Sequence, residues 1–495
     1  MSVVSTLDLA PRSRRRRPAG QLGWSTSLRG LGVLLVCATV ALALGVAAAL
    51  SPVLALAGVL AGALIAVVAW RPEFAAYLLI AATPLVVGID RDRIFPLLRP
   101  NEALLGFLIA ILVARAALQL RLDVRPRISI GPVAMTLVAM AVASSFLPLI
   151  FMVARGREVE MDDLTHAAVM WKNLAIFALV RYTIRTQAQV RICIWVSMTV
   201  AAVVGAIAIA QSLGILGVRE LLVPMYASFG YTDAFADPRA GSTIGLPAAM
   251  ADVMILNLAL AIGLWWKDRR AAVLIVPACA VYVMAAFAAA EFSSALGLMV
   301  AMVTVAWLLR RLDLLKWGLL ALPVAMWVLW PTIEHRIVEF QSMHGIPRSW
   351  LVRWYNLETY FWPVLFDGTN PILGVRPSAR VPANEAYGFV WIENGYTWLL
   401  WGGGIFLAGA FAWFVWVALK HMRELSTGLT SYSSVAALAA FVGVVVVVVL
   451  MIFDPHITYR GFADALYTVL ALALVQRSQT ASPTVAAEFE QEARS

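Results

Sequence analysis

Guanidinium, indole and carboxylate side chains gather in one stretch of this sequence, Glu334 to Asn394, the longest polar interval between two hydrophobic blocks. Within it, Arg348-Ser349-Trp350-Leu351-Val352-Arg353-Trp354-Tyr355 alternates Arg with aromatic residues, and helical spacing would set Trp350 and Trp354 on one face. A guanidinium grips phosphate with two parallel donors, and aromatic rings stack on sugar faces or rest at the level of lipid headgroups. The segment therefore reads as a phosphate-capturing element, as an amphipathic helix lying on a membrane, or as both. Asn370-Pro371-Ile372-Leu373-Gly374-Val375 follows as a tight turn, and the interval closes with Trp391-Ile392-Glu393-Asn394-Gly395-Tyr396. Glu393 stands at the edge of an apolar block, where desolvation raises a carboxyl pKa and suits it to general-base work.

Three shorter groups invite chemistry elsewhere. Arg239-Ala240-Gly241-Ser242-Thr243-Ile244-Gly245-Leu246-Pro247 precedes an apolar block; its Gly, Ser and Pro would loosen a helix start and leave N–H groups free for an anion beside Arg239. Such a string is often only a cap. Asp454-Pro455-His456-Ile457-Thr458-Tyr459-Arg460 sets an acid, an imidazole and a guanidinium in one short turn, and Glu291-Phe292-Ser293-Ser294 adds another acid in a hairpin. Turns of that kind are more often interfacial caps than catalytic centres. No His, Asp or Glu cluster calls for a metal or other cofactor. Cys37, Cys193 and Cys279 fall inside apolar blocks, with the spacing of neither a disulfide frame nor a zinc site.

The elements that must carry these groups are membrane helices. Of 495 residues, 62% are hydrophobic and 14% charged, against roughly 45–50% and about 25% for a soluble domain. The apolar residues fall in blocks of roughly 17–25, the length of a helix crossing a bilayer core of about 30 Å. About fourteen spans are expected, near 30–50, 52–70, 74–89, 101–120, 131–151, 168–184, 191–213, 244–266, 271–290, 292–309, 315–332, 390–418, 433–453 and 460–476. The fold class is all-α, a polytopic transmembrane bundle whose large extracytoplasmic loop holds short amphipathic helices. Its parts are a basic, disordered N-terminus over 1–29, a bundle over 30–332, the loop 333–389, the last spans over 390–476 and a disordered tail over 477–495.

Charge placement orients the bundle. The net charge of +9 suits anionic lipid better than nucleic acid, because Arg12 and Arg14 to Arg17 cluster just before the first span. With that end in the cytoplasm, the connections holding Arg121/Arg125/Arg127, Arg181/Arg185/Arg191, Lys267/Arg269/Arg270, Arg310/Arg311/Lys316 and Lys420/Arg423 are cytoplasmic as well, and so are both termini. The first apolar block has no convincing cleavage site and reads as a retained span. The remaining loops, which are larger, face outward. They carry Arg91, Arg93, Arg99, Arg155, Arg157, Arg219, Arg239, Arg336, Arg348, Arg353, Arg376 and Arg380 against the topogenic bias. An anionic ligand at the outer surface would account for them; so would a chain with only four Lys that uses Arg to solubilise its loops.

The order of motifs resembles that of the O-antigen ligase and polysaccharide polymerase superfamily. The carriers are the Arg239–Pro247 string, the Ser-containing hairpin at 291–297, Arg353-Trp354, Asn370 to Gly374, and Asn394-Gly395-Tyr396 followed by Trp401-Gly402-Gly403-Gly404. The resemblance covers 230–415 and extends to the N-terminal half only through hydropathy. It implies a GT-C-type glycosyltransferase of the bacterial cytoplasmic (inner) membrane. Such an enzyme takes a glycan from an undecaprenyl-diphosphate carrier at the outer leaflet and joins it to a glycan or lipid-linked acceptor, in cell-surface or exopolysaccharide biosynthesis. Carried over, Arg239 and Arg353 are the diphosphate clamp and Glu393 the catalytic base, with Arg348, Trp354, Asn394, Tyr396 and Arg376 binding substrate. The sequence departs from the family where a His-Asn pair reads Glu393-Asn394 and a Ser-Arg pair reads Ser293-Ser294, which favours polymerase-like transfer over ligation. A transporter or flippase of lipid-linked glycans, or a non-catalytic component working with other polysaccharide-assembly proteins, stays open.

Overall fold

A computed structural model of the chain describes residues 51–91, 93–121, 131–226, 239–330, 334, 348–383 and 388–475. The expected N-terminal segment 1–29, the block 30–50 and the tail 477–495 lie outside these. The chain divides into two units at Val67/Val68; apart from α1, most of which lies in the first, the elements described below belong to the second.

The described residues form an all-α membrane-type bundle with one small hairpin. In chain order the helices are α1 (Pro52–Trp70), α2 (Glu73–Val86), α3 (Pro100–Arg121), α4 (Pro132–Ala154), α5 (Met161–Thr183), α6 (Gln187–Leu213), α7 (Val218–Tyr226), α8 (Pro247–Lys267), α9 (Ala272–Ala288), α10 (Phe292–Leu308) and α11 (Leu314–Val328). After them come α12 (Arg348–Asn356), α13 (Trp362–Leu365), α14 (Asn370–Leu373), α15 (Gly395–Ser426), α16 (Tyr432–Leu450) and α17 (Phe462–Ala473). Among the described residues seven helices are long and apolar enough to cross a membrane: α3, α4, α6, α8, α9 with the turn before it, α15 and α16. The expected span 52–70 coincides with the apolar 19-residue α1, and the others from 74–89 onward coincide with helices that are shorter or more polar.

Local chemistry fixes the helix ends. Thr186 and Gln189 form a reciprocal capping box at the start of α6, and Gly214 ends that helix in the left-handed conformation. Pro132 and Pro247 open α4 and α8, where the missing N–H costs nothing. A helix apolar on all sides belongs in the centre of a bundle. That is α8, whose membrane-length window is 94% buried, with α16 beside it at 83%. Glycines let the central helices approach: a Cβ on Gly263 would press on Leu438 and Val435, and one on Gly443 on Leu466 and Leu256.

The helix ends sort into two layers. At one end Arg181 donates to the Leu474 carbonyl, Gln187 to Ser433 and Lys267 to the Thr430 carbonyl. At the other, larger end Gly88 N–H donates to Thr243, Arg155 to Asn370, Arg376 to Asp163, and Gly395 N–H to the Met451 carbonyl. This polar end carries the connections expected to face outward.

The large loop is more structured than a set of amphipathic helices. After α12 a π-turn over Leu357–Phe361 leads to α13 and α14, and β1 (Arg380–Pro382) then pairs antiparallel with β2 (Phe389–Trp391), with Val381 opposite Val390. Because 389–391 pair as a strand, α15 begins at Gly395 rather than near 390. The 214–243 interval likewise contains α7.

The α14 turn enters a break in α15. Gly404 holds φ 62° and ψ −156° inside that helix, a conformation essentially reserved for glycine, and a Cβ there would overlap the Ile372 carbonyl. Val375 N–H donates to the Trp401 carbonyl at 2.7 Å, which the break has released. Trp401 lies six residues into α15, so the turn reaches about 9 Å down that helix at 1.5 Å per residue. The two glycine motifs, at Gly374 and Gly402–Gly404, are halves of one contact.

Candidate functional site

Three elements converge at the polar end to build the site. The first is α12, seated by an aromatic cluster: Trp350 packs edge-on against Phe292 with centroids 5.2 Å apart and against Phe453 at 5.5 Å. Arg353, three residues later and so on nearly the same face, meets the other two elements. The second is the start of α15. Asn394 caps it by accepting from Thr397 N–H at 2.8 Å and donates its amide to the Ile452 carbonyl at 2.7 Å. The third is the end of α16, which packs so closely that a Cβ on Gly395 would strike the Met451 side chain. Only glycine permits this approach, and the approach sets Glu393 beside Asp454.

Arg353 is held between those two acids. Its Nη2 lies 3.1 Å from Asp454 Oδ2 and its Nε 3.6 Å from Glu393 Oε1. The second distance is an ion pair without a hydrogen bond, so the buried Nε–H has no hydrogen-bond partner among the described residues. Arg239 approaches Glu291 Oε1 at 3.4 Å, and Glu291 stands at the N-cap of α10 within electrostatic reach of both Arg353 and Glu393. Beneath them Tyr459, within electrostatic reach of Asp454, packs its ring 4.4 Å from that of His456. His456 Nδ1 meets Asp252 Oδ2 of α8 at 2.6 Å, and both side chains are almost wholly buried.

The electrostatics follow from this crowding. Loss of solvent pushes the Glu393 carboxyl up to about 7; Arg353 pulls against that shift, while Asp454 and Glu291 add to it. Burial raises Asp454 as well, opposed first by Arg353 and then by His456. Burial works against the charge on Arg353, but Asp454 and Glu393 outweigh it and hold the guanidinium more firmly protonated. The result is a fixed cation flanked by two acids, of which Glu393 exchanges its proton near neutrality. Chemically that is an anion-binding group next to a group able to take or give a proton.

Of the residues singled out in the sequence, Arg353, Glu393 and Asn394 come together, and Arg239 joins through Glu291. Asn394 uses both ends of its amide to fix the helix start. Tyr396 donates to the Val448 carbonyl at 2.7 Å and lines an apolar groove of about 550 Å³ with Phe411, Trp416 and Leu419. Trp354 is exposed, its ring edge-on to Trp362 at 5.0 Å rather than sharing the Trp350 cluster. Arg376 sits among acids of α5 instead: its fork takes Asp163 at 2.9 and 2.6 Å, with Glu160 at 3.1 Å. Arg348 opens α12, and its side chain lies outside the described atoms.

The Arg239–Pro247 string differs from the open anion cradle expected of it. It folds into a buried turn over Ser242–Ile244, where Ser242 N–H donates to the Gln211 side chain at 2.8 Å and Thr243 to the Pro84 carbonyl at 2.7 Å. Its polar groups tie α2, α6 and α8 together, and Arg239 alone faces the acids.

Sequence reasoning passed over Asp252. An Asp within an otherwise apolar span was the available signal, because a membrane interior tolerates such a group only with a partner. Among the described residues no group of three or more His, Cys, Asp and Glu side chains is arranged to hold a metal. No protein-family model and no curated protein matches the chain.

Proposed function

We propose that the chain is an integral-membrane glycosyltransferase of the O-antigen ligase or polymerase type, moving a glycan from an undecaprenyl-diphosphate carrier to an acceptor. In this reading the bundle crosses the bacterial cytoplasmic membrane about fourteen times with both termini inside, and the polar end is the extracytoplasmic active face. The observation that carries the reading is Arg353 set between Asp454 and Glu393, a carboxyl whose proton is exchangeable near neutrality, in a loop docked on the helix ends.

The chemistry follows from that pair. A departing diphosphate gathers negative charge on its bridging oxygen, and guanidinium groups already in place stabilise it. Arg353 and Arg239 supply them. A bound diphosphate competes with Glu393 for Arg353, and the freed carboxylate then accepts the proton of the attacking acceptor hydroxyl. The apolar groove beginning at Tyr396, two residues past Asn394, offers a path for the carrier's hydrocarbon.

The buried Asp252–His456 pair favours a second reading, transport or flipping of a lipid-linked glycan, because ionisable groups inside a helical bundle mark ion pathways. One experiment separates the two: release of undecaprenyl diphosphate from a glycan-loaded carrier by the purified protein in nanodiscs, with acceptor present or omitted. Acceptor-dependent release that Arg353→Ala abolishes supports the transferase. No release from any of several donors, together with passage of labelled carrier across sealed vesicles, supports the transporter.

A further inference from the structure

A second cationic group lies on the far side of the 454–460 turn. Asp454 turns to Arg353, whereas Arg460 Nη1 turns to Asp90 Oδ1 at 3.2 Å, in the connection between α2 and α3. That same Asp90 oxygen is the carboxylate oxygen met by Arg99, whose Nη2 is 3.9 Å away, too far for a hydrogen bond. Arg91 reaches Glu102 Oε1 at 3.2 Å, and the other oxygen of Glu102 is occupied by the Arg99 backbone N–H. The buried Nε–H groups of Arg91 and Arg99 have no partner among the described residues. Among the described residues Arg91 and Arg99 thus each keep a donor to spare beside Arg460, in a site where their side chains are 30% and 23% exposed.

Burial, followed by the charges of Arg460 and Arg91, drives the Arg99 pKa down to about 9. Arg460 is lowered too, chiefly by burial, with Asp90 opposing. Cations that crowd one another this closely are relieved by an anion with several acceptor oxygens, and phosphate matches the guanidinium fork.

The source of that phosphate is indicated by the loop itself. Ile94, Phe95, Leu97 and Leu98 are all exposed, and Phe95 and Leu98 pair to close the tip. An apolar tip beside a guanidinium cluster, at the level where α2 ends and α3 and α17 begin, matches an amphiphile with a phosphate head. We propose that Arg91, Arg99 and Arg460 form a binding site for the phosphate headgroup of a membrane lipid, with the Ile94–Leu98 tip resting against its hydrocarbon. The site is separate from the Arg353 group and does not rest on the transferase reading.

The test is equilibrium binding of radiolabelled farnesyl diphosphate to the full-length protein in detergent, in an Arg353→Ala background that removes the other cation. Unlabelled inorganic diphosphate and farnesol serve as competitors. Unlabelled farnesyl diphosphate, added as the reference competitor, should displace the label well, and inorganic diphosphate and farnesol poorly. Arg99→Gln should weaken binding about ten- to hundredfold, the loss of charge-assisted hydrogen bonds to one guanidinium. Arg99→Lys keeps the charge without the fork and should also bind more weakly. Asp90→Asn should tighten binding, because it releases Arg460 and Arg99 from their shared acid; a misfolded variant cannot produce that gain. Unchanged affinity in Arg99→Gln, or weaker binding in Asp90→Asn, would overturn the site. Competition by inorganic diphosphate equal to that of farnesyl diphosphate would overturn the lipid source, and equal competition by farnesol would overturn the phosphate.

Discussion

Removing Arg353 tests whether it serves the substrate or only Asp454. Asp454 is 11% exposed and loses a 3.1 Å ion pair in Arg353→Ala. Stranding one member of a buried pair costs about 3–5 kcal/mol. Glu393 is 35% exposed and 3.6 Å away, so its share is small after solvent screening. The single variant should therefore lose about 3 kcal/mol, the lower end of that range. Arg353→Ala combined with Asp454→Asn should recover most of the loss, because a neutral amide needs no cation. Transfer should not recover: losing a preplaced donor to developing charge costs about 10²–10³ in turnover, and both variants should show that deficit. Arg353→Lys should unfold like the wild type yet remain slow, having lost the two-pronged fork. Thermal unfolding in detergent and release of undecaprenyl diphosphate are read on the same preparations. If the double variant regains stability and turnover together, Arg353 is only a counter-ion and the diphosphate clamp is refuted.

Two further perturbations test the scaffold and the base. Gly404→Ala forces a side chain into a backbone region that costs about 1–3 kcal/mol and adds overlap with the Ile372 carbonyl; the melting temperature should fall and the 357–383 segment become more open to protease, and unchanged melting would show that the α14 turn does not depend on the break in α15. Glu393 is raised from 4.5 to about 7, so the folded state holds its proton more tightly than the unfolded chain, and the carboxyl favours folding below 4.5 but loses that contribution as pH rises through about 7. Glu393→Gln should flatten the decline of stability across this window and remove the rise in turnover with an apparent pKa near 7; a turnover profile unchanged by the substitution moves the base to another group.

Helix positions were legible because the apolar blocks are long and bounded by charge or proline, so hydropathy alone located α2 to α6, α8 to α11 and α15 to α17. The break in α15 was not. Gly402-Gly403-Gly404 sits in an apolar block and reads as flexible helix until the Ile372 carbonyl is placed against it. Glu393 and Arg353 could be singled out, since each is an ionisable group beside an aromatic or apolar edge. Their third partner could not be chosen, because Asp454 and Asp90 look alike in sequence, and only the packing of Gly395 on Met451 decides which acid meets Arg353. The Asp162-Asp163 pair at the start of α5 reads as ordinary acidic decoration of a helix N-terminus. Its role as the anchor of Arg376 and Arg380 depends on chain reversals far from it in sequence.

The number of arginines at the polar end is a poor measure of its capacity for ligand. Arg376 and Arg380 are bound to Asp163 and Asp162, Arg155 donates to Asn370 and Thr369, and Arg219 donates to the carbonyls of Gln211 and Ser212 at the end of α6. Each joins a loop to a helix end, a task for which a five-donor planar fork is better suited than a Lys ammonium. Structural demand thus explains much of the Arg excess that the topogenic rule leaves unexplained. It does not explain Arg353, Arg91 and Arg99, each of which retains a buried Nε–H without a partner among the described residues. A buried donor left unmet costs about 1–3 kcal/mol, a cost that a loop pin has no reason to carry and that an arriving anion would remove. Chemistry at this end is therefore to be sought at the guanidinium groups with donors to spare, on the two sides of the 454–460 turn.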